Sequence, residues 1–176
     1  MKTNFSYSPR RIDLARAIAL RQEIEEFHAD YCAALDANQI ESWPDFFTED
    51  ALYRVTAREN ADRGLLVGLV YAEGRDMMQD RAIAISRTQM FAPRHMRHLV
   101  TNTRVLDESP DGIEAQSSFL LLQTLVEGPT TLHLAGFYHD VFVRAEGAST
   151  SGPLKLKERQ VIYDTEILAN DLVYPV

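Results

Sequence analysis

Two hydrophobic periods run along the chain, and the switch between them divides it. Leu20, Ile24, Phe27, Tyr31, Ala34 and Leu35 recur at helical spacing, with Arg21, Gln22, Glu25 and Glu26 on the other side. Ser8-Pro9 has the form of an N-cap followed by proline at the first helical position. The pattern therefore predicts one long amphipathic helix from there to about Ala37, where "DANQ" breaks it. Over 39–47 only a short second helix is expected, because Pro44 removes a backbone donor inside it. Residues 51–57 and the apolar run "LLVGLVYA" (65–72) read as strands on either side of a charged loop, "ARENADRG". Helical spacing returns over 75–88 through Met78, Ala82 and Ile85.

From about Met96 the period changes to two. Strands are expected over 96–107, 112–126, 130–144 and 154–168, separated by "DESPDG", "EGPT" and "AEGASTSGP", which are turn and loop chemistry. Helices first and then a long antiparallel meander mark an α+β domain. Strands of this length twist and coil, so the sheet is expected to curl into a half-barrel cupping the first helix. Gly136 is where a bulge or sharp bend would sit. This architecture is the cystatin-like or NTF2-like cone, with residues 1–176 forming one domain; no linker, repeat or low-complexity segment suggests a boundary.

The stretch "ESWPDFFTEDALYRV" (41–55) sets Trp43, Phe46, Phe47 and Tyr53 among the carboxylates of Asp45, Glu49 and Asp50. Rings of this size bury large apolar areas, so the stretch reads as a corner of the core where helix hands over to sheet, with Thr48 as a local cap. The strand 154–168 has a different look. Lys155, Lys157 and Arg159 share one face, ahead of Val161, Tyr163, Thr165 and Ile167; Glu158, Gln160, Asp164 and Glu166 fall on the other. A strand polar on both sides suggests a solvated sheet edge or a polar protein–protein surface. The tail "NDLVYPV" adds apolar residues that need a neighbour.

Candidate chemistry is sparse. His95 and His98 would share a helix face, but on a strand they point to opposite sides, and His139-Asp140 diverge for the same reason. His28 lies at the border of the apolar face of the first helix, with Tyr31 one turn on. With Asp30, Tyr53, His98 or His133 it could form an acid–base pocket suited to an isomerase or dehydratase. The plainer reading is a partly buried histidine satisfied by a backbone carbonyl. There is no G-x-S-x-G, P-loop or G-x-G-x-x-G.

Composition narrows the partners. A net charge of −8 argues against nucleic acid or an anionic membrane as main partner, since both call for clustered Lys and Arg. No apolar run approaches the ~20 residues that span a bilayer, and charges interrupt every apolar stretch near the N-terminus, so a cytoplasmic protein is expected. Cys32 is the only cysteine. This chain alone can therefore form no intramolecular disulfide and hold no four-cysteine or Rieske iron–sulfur cluster.

The whole chain from about Ile24 carries a resemblance. The segments "ALDANQIESWPDFFTEDALYRVTARENADRGL", "RDMMQDRAIAI", "RHMRHLVTNTRV", "AGFYHDVFVR" and "LKLKERQVIYDTEIL", in this order and at these separations, resemble the small (beta) subunit of Rieske non-haem iron aromatic-ring-hydroxylating dioxygenases. The likeness is to the branch acting on aromatic acids: salicylate, anthranilate and terephthalate. The N-terminal extension, residues 1–21, lies outside it. The resemblance implies an NTF2-like cone and a mainly structural role, with no catalytic, cofactor-binding or metal residue on this chain. A large (alpha) subunit would hold the Rieske [2Fe-2S] cluster, the mononuclear Fe(II) and the substrate pocket, fed by NADH through a reductase. Three alpha and three beta chains would assemble, the beta chains forming a trimer. Strand 154–168 with its tail, and "ARENADRG" with "LLVGLVYA", are the expected contact surfaces. The rival readings are a free-standing dehydratase or isomerase built on His28, Asp30 and Tyr31, and a small-molecule binding module.

Overall fold

The computed structural model describes residues 7–65, 67–88, 90–145, 152–165, 167–168 and 172–176. A long helix α1 (Leu14–Asp36) is followed by a 3₁₀ helix (Ile40–Phe46), strand β1 (Phe47–Ala57), helix α2 (Arg58–Asp62), strand β2 (Val70–Glu73) and helix α3 (Arg75–Arg87). Among the described residues four strands follow: β3 (Arg94–Ser109), β4 (Gly112–Leu125), β5 (Thr130–Arg144) and β6 (Leu154–Tyr163).

Helix α1 starts five residues later than the Ser8-Pro9 signal predicts. The cap is Asp13, whose carboxylate accepts from the Arg16 backbone N–H at 3.1 Å. Residues before it instead run along β3: the Arg11 N–H bonds Leu106 O at 2.7 Å, and its guanidinium reaches Asp107 and Glu114. The buried stripe of α1 is Ala17, Leu20, Ile24, His28, Tyr31 and Leu35. Met78, Ala82 and Ile85 bury one face of α3, as its spacing predicts. "ARENADRG" is not a plain loop, since five of its residues form α2.

The strands make one six-stranded sheet in the order β2-β1-β6-β5-β4-β3. It is mixed rather than a pure meander: β6 returns beside β1 and pairs with it in parallel, while the other neighbours are antiparallel. This placement overturns the reading of 154–168 as a sheet edge, because β6 lies between β1 and β5. The register explains the misleading pattern. Glu158 pairs with Val141 and Leu156 with Phe142, so Lys157 is the extra residue of a bulge. A one-residue insertion reverses which side chains face inward. Leu154 and Leu156 point into the core before the bulge, and Arg159, Val161 and Tyr163 are buried after it. Glu166 lies outside the described residues.

Gly136 serves a purpose other than a bulge. It pairs in register with Phe119 and Tyr163, and a Cβ there would sit 2.1 Å from Ile162 O. Only glycine lets these central strands approach so closely. The register shifts lie at Thr101–Arg104 in β3, where Asn102 adopts φ 55°, and at the junctions Val105/Asp107, Leu121/Leu122, Val141/Phe142 and Phe47/Leu52. The run 65–72 is strand only from Val70. Before it the chain is held by Leu69 N–H to Val55 O at 2.8 Å and leaves Leu65, Val67 and Leu69 exposed; Leu66 is outside the described residues, as is most of "AEGASTSGP".

A single main apolar cluster joins α1, the 3₁₀ helix, α3 and the inner face of the sheet. The corner 41–55 belongs to it. Trp43, Phe47 and Tyr53 are buried, with Trp43 edge-on to Phe47 (5.6 Å) and Tyr53 (5.0 Å), and Phe46 packs on Phe27 and Tyr31. Thr48 Oγ1 donates to Asp50 at 2.9 Å. Residues 172–176 turn back into this cluster, and Val173, Tyr174 and Val176 are buried, so this part of the tail finds its neighbour within the chain.

Candidate functional site

Polar side chains inside the cone converge on Arg159, which sequence reading places on a surface and the fold buries completely. Its Nε and Nη2 donate to the two oxygens of Asp140 at 2.9 and 2.8 Å, a two-point pair. The guanidinium is also sandwiched between rings, 4.4 Å from the centroid of Tyr31 and 4.2 Å from that of Tyr138. Burial opposes its charge, but Asp140 and the two phenols more than offset this and hold its pKa well above the usual value.

His28 completes the cluster in a way that decides its chemistry. Arg159 Nη2 lies 3.2 Å from His28 Nδ1, and a guanidinium only donates, so Nδ1 must accept. The ring proton is then on Nε2, which faces Ser117 Oγ at 3.2 Å; the Ser117 hydroxyl in turn donates a hydrogen bond to Thr103 Oγ1 at 3.1 Å. Burial first, and the Arg159 charge second, push the His28 pKa well below 6.5. The ring is therefore neutral, with both nitrogens engaged by side chains rather than by the expected backbone carbonyl. No lone pair is left for a substrate proton.

The other candidates scatter. Tyr31, Tyr53 and His98 face the interior, Asp30 is exposed, and His133 is buried at the irregular pairing beside Leu134. His95 is exposed while His98 is buried, where Asp36 Oδ1 lies 2.7 Å from its Nδ1. His139 and Asp140 diverge as expected: Asp140 meets Arg159, and His139 lies 3.4 Å from Glu114. Among the described residues no group of three or more His, Cys, Asp or Glu could hold a metal ion, and burial lifts the Cys32 thiol to about 11. No helix among them is long and apolar enough to cross a membrane.

The cone matches a family model for the SnoaL-like domain over residues 16–159. The chain is 31% identical to the anthranilate 1,2-dioxygenase small subunit of Burkholderia cepacia over 154 residues, 88% of this chain and 92% of that one. The chain belongs to the small-subunit family of aromatic-ring-hydroxylating dioxygenases. A terephthalate 1,2-dioxygenase terminal oxygenase beta subunit from a Comamonas species is 29% identical, with 88% of this chain and 97% of that one covered. Among solved structures, a chain assigned as the beta subunit of an aromatic-ring-hydroxylating dioxygenase from Novosphingobium aromaticivorans superposes with a TM-score of 0.80 at 32% identity, covering 93% of this chain and all of that one. The family fold agrees with the cone expected from sequence.

Arg159, Asp140, Ser117, Thr103 and Asp36 were missed by sequence reasoning. The bulge at Lys157 hides the inward direction of Arg159, and alternation along β5 separates Asp140 from His139 without naming its partner. The available signal was an Asp and an Arg at central positions of two adjoining strands, where an unpaired charge would be untenable.

His28 also makes stability depend on pH. Its folded pKa is depressed, so below about 6.5 the unfolded chain binds a proton that the folded chain refuses. Stability should rise with pH up to about 6.5 and fall below it, by as much as ~1.4 kcal/mol per pH unit from this group. Urea titrations between pH 5 and 7.5 should show that slope, and His28→Gln should flatten it. An unchanged slope in the variant would mean that His28 is not the group refusing the proton.

Proposed function

We propose that this chain is the small, mainly structural subunit of a ring-hydroxylating oxygenase acting on an aromatic acid of the anthranilate, terephthalate or salicylate kind. The observation that carries the reading is near-full-length similarity to the anthranilate and terephthalate dioxygenase small subunits. The interior supports it: the one histidine placed for acid–base work has both nitrogens engaged, and Arg159 is tied to Asp140. No residue of this chain is assigned a catalytic, cofactor-binding or metal role. The Rieske [2Fe-2S] cluster and mononuclear Fe(II) would reside on the large subunit, supplied with electrons from NADH by a reductase, in the cytoplasm. A single cysteine is consistent with that division.

The assembly would hold three large and three small chains, the small ones also touching each other. The surfaces that favour contact differ from those expected of strand 154–168. Leu99 and Leu120 pair directly across β3 and β4 and are both exposed, with Leu132 exposed on β5. A second apolar set, Val67, Leu69 and Tyr71, lies at and before the β2 edge, within the expected segment "LLVGLVYA". Contiguous apolar patches of this kind mark interaction sites.

The rival reading, an enzyme within this cone, is separated by turnover. His28→Gln in the assembled oxygenase should leave kcat within a few-fold of the parent enzyme. An acid–base group contributes ~10²–10⁴-fold, so a loss of that size in an intact complex would favour the rival.

A further inference from the structure

His98 is held between two acceptors. On one side Asp36, the last residue of α1, sets Oδ1 2.7 Å from His98 Nδ1. The same carboxylate accepts from the His98 backbone N–H at 3.1 Å and from Arg97 Nη1 at 3.2 Å. Nδ1 must therefore carry a proton and donate a hydrogen bond to Asp36. On the other side Nε2 lies 3.2 Å from Pro175 O, a carbonyl oxygen that only accepts. A neutral ring has one proton for these two places. With it on Nδ1, a lone pair at Nε2 faces the carbonyl; with it on Nε2, a lone pair faces the carboxylate at 2.7 Å. The side chain is 1% exposed, so bulk water relieves neither arrangement. Only the doubly protonated ring bonds both acceptors, and Asp36 supplies its counter-charge.

The groups around His98 leave it as the one that sets this contact. From α1, Glu25, His28 and Cys32 line with it a crevice of about 340 Å³. His28 is neutral, as derived above, and burial lifts the Cys32 thiol to about 11. Arg97 on its own strand is spent on Asp36, and its register partner on β4 is Leu121. The segment itself is held by Arg81 on α3, which donates to Val173 O at 3.1 Å, and by Tyr174 edge-on to Phe91 at 5.3 Å. Tyr31 Oη donates to Val176 O at 3.1 Å, and Tyr53 Oη accepts from the Val176 N–H at 2.9 Å. A guanidinium keeps its proton in proteins, and burial raises both phenols, so these holds do not change with pH near neutrality. Arg159 lies behind Tyr31 and is matched by Asp140.

We propose that His98 is a proton-operated clamp on residues 172–176. Protonated, it ties the Pro175 carbonyl to Asp36 at the end of α1; unprotonated, it keeps its bond to Asp36 and releases Pro175. The other holds stay in place, so the response is a loosening of the segment and not an unfolding of the cone. The sign follows from linkage. The clamped state holds a proton that the loosened state gives up, so acid tightens the segment. The loosened fraction rises with pH, by at most about tenfold per unit for one proton. An imidazole makes this change between about pH 5 and 8. His28 acts in the opposite sense, because the folded chain refuses its proton. The clamp belongs to the chain by itself and does not rest on its assembly with a large subunit.

The test uses the full chain, with heteronuclear NMR of the histidine rings and hydrogen exchange of the 172–176 amides, corrected for the intrinsic pH dependence of exchange. At about pH 6 the His98 ring should carry protons on both nitrogens. Between about pH 6 and 8 the protection of the Val176 amide should fall by about tenfold or more, with the midpoint of the His98 titration. Amides of β4 and β5 should stay protected over the same range. His98→Gln, which has no titrating proton, should abolish the fall, and His28→Gln should leave it in place. A ring singly protonated at about pH 6, tail protection that ignores pH, or a His98→Gln chain that keeps the parental fall would each overturn the proposal. Should His98→Gln fail to fold, the parent chain decides: a shared midpoint for ring and tail sustains the clamp, and separate midpoints overturn it.

Discussion

Asp140→Ala should destabilise the isolated chain by about 3–5 kcal/mol, because it leaves a fully buried guanidinium without its counter-charge. The size follows from what remains. Arg159 would keep its two ring contacts and its bond to His28, but neither replaces a carboxylate accepting at two points. Set against a typical total of ~5–15 kcal/mol, the loss is large enough to unfold a substantial fraction of the chain at moderate temperature. The control is Asp140→Leu combined with Arg159→Met. Removing both charges restores apolar packing, and this double variant should recover most of the loss. Urea denaturation of the three chains measures both effects. A cost below about 1 kcal/mol for Asp140→Ala would mean that water or a rearranged side chain reaches Arg159.

Trp43→Ala is the second large effect, again at about 3–5 kcal/mol, the range for emptying a buried aromatic site. Trp43 has no exposed surface, packs edge-on to two rings, and donates the bond that orients Tyr31. Pro44 beside it is buried within the 3₁₀ helix, which limits how far the backbone can collapse into the space. Trp43→Phe should cost clearly less, keeping most of the ring contacts while losing the bond to Tyr31. Equal costs for the two variants would show that the hydrogen bond, rather than the packing, dominates.

These two sites differ in how far the sequence discloses them. Trp43 is legible as core, because four large rings within fifteen residues of a helix-to-sheet junction have nowhere else to go. Asp140 and Arg159 are not, for a geometric reason. Period-two reading assumes an unbroken strand, and the bulge at Lys157 reverses the faces midway, turning an interior ion pair into an apparent surface one. The same loss of parity occurs around Asn102, where His98 faces inward before the irregularity and Thr103 after it. The helix start was missed because Ser8-Pro9 satisfies the local rule, while pairing of residues 8–11 with β3, a contact about 95 residues away in sequence, wins. The parallel return of β6 beside β1 is likewise a long-range choice that no local pattern states. Burial of the tail follows from partners contributed by α1, β1, β3 and α3 together.

The most direct test of the small-subunit reading is native mass spectrometry of this chain co-expressed with the Rieske-bearing large subunit from the same genome, purified through a tag on the large subunit alone. The account predicts that the chain co-purifies in equal number with the large subunit, in a complex of three and three, with all iron on the large chain. A large subunit that comes through the column without this chain, while this chain runs as a folded ~20 kDa monomer, would contradict it.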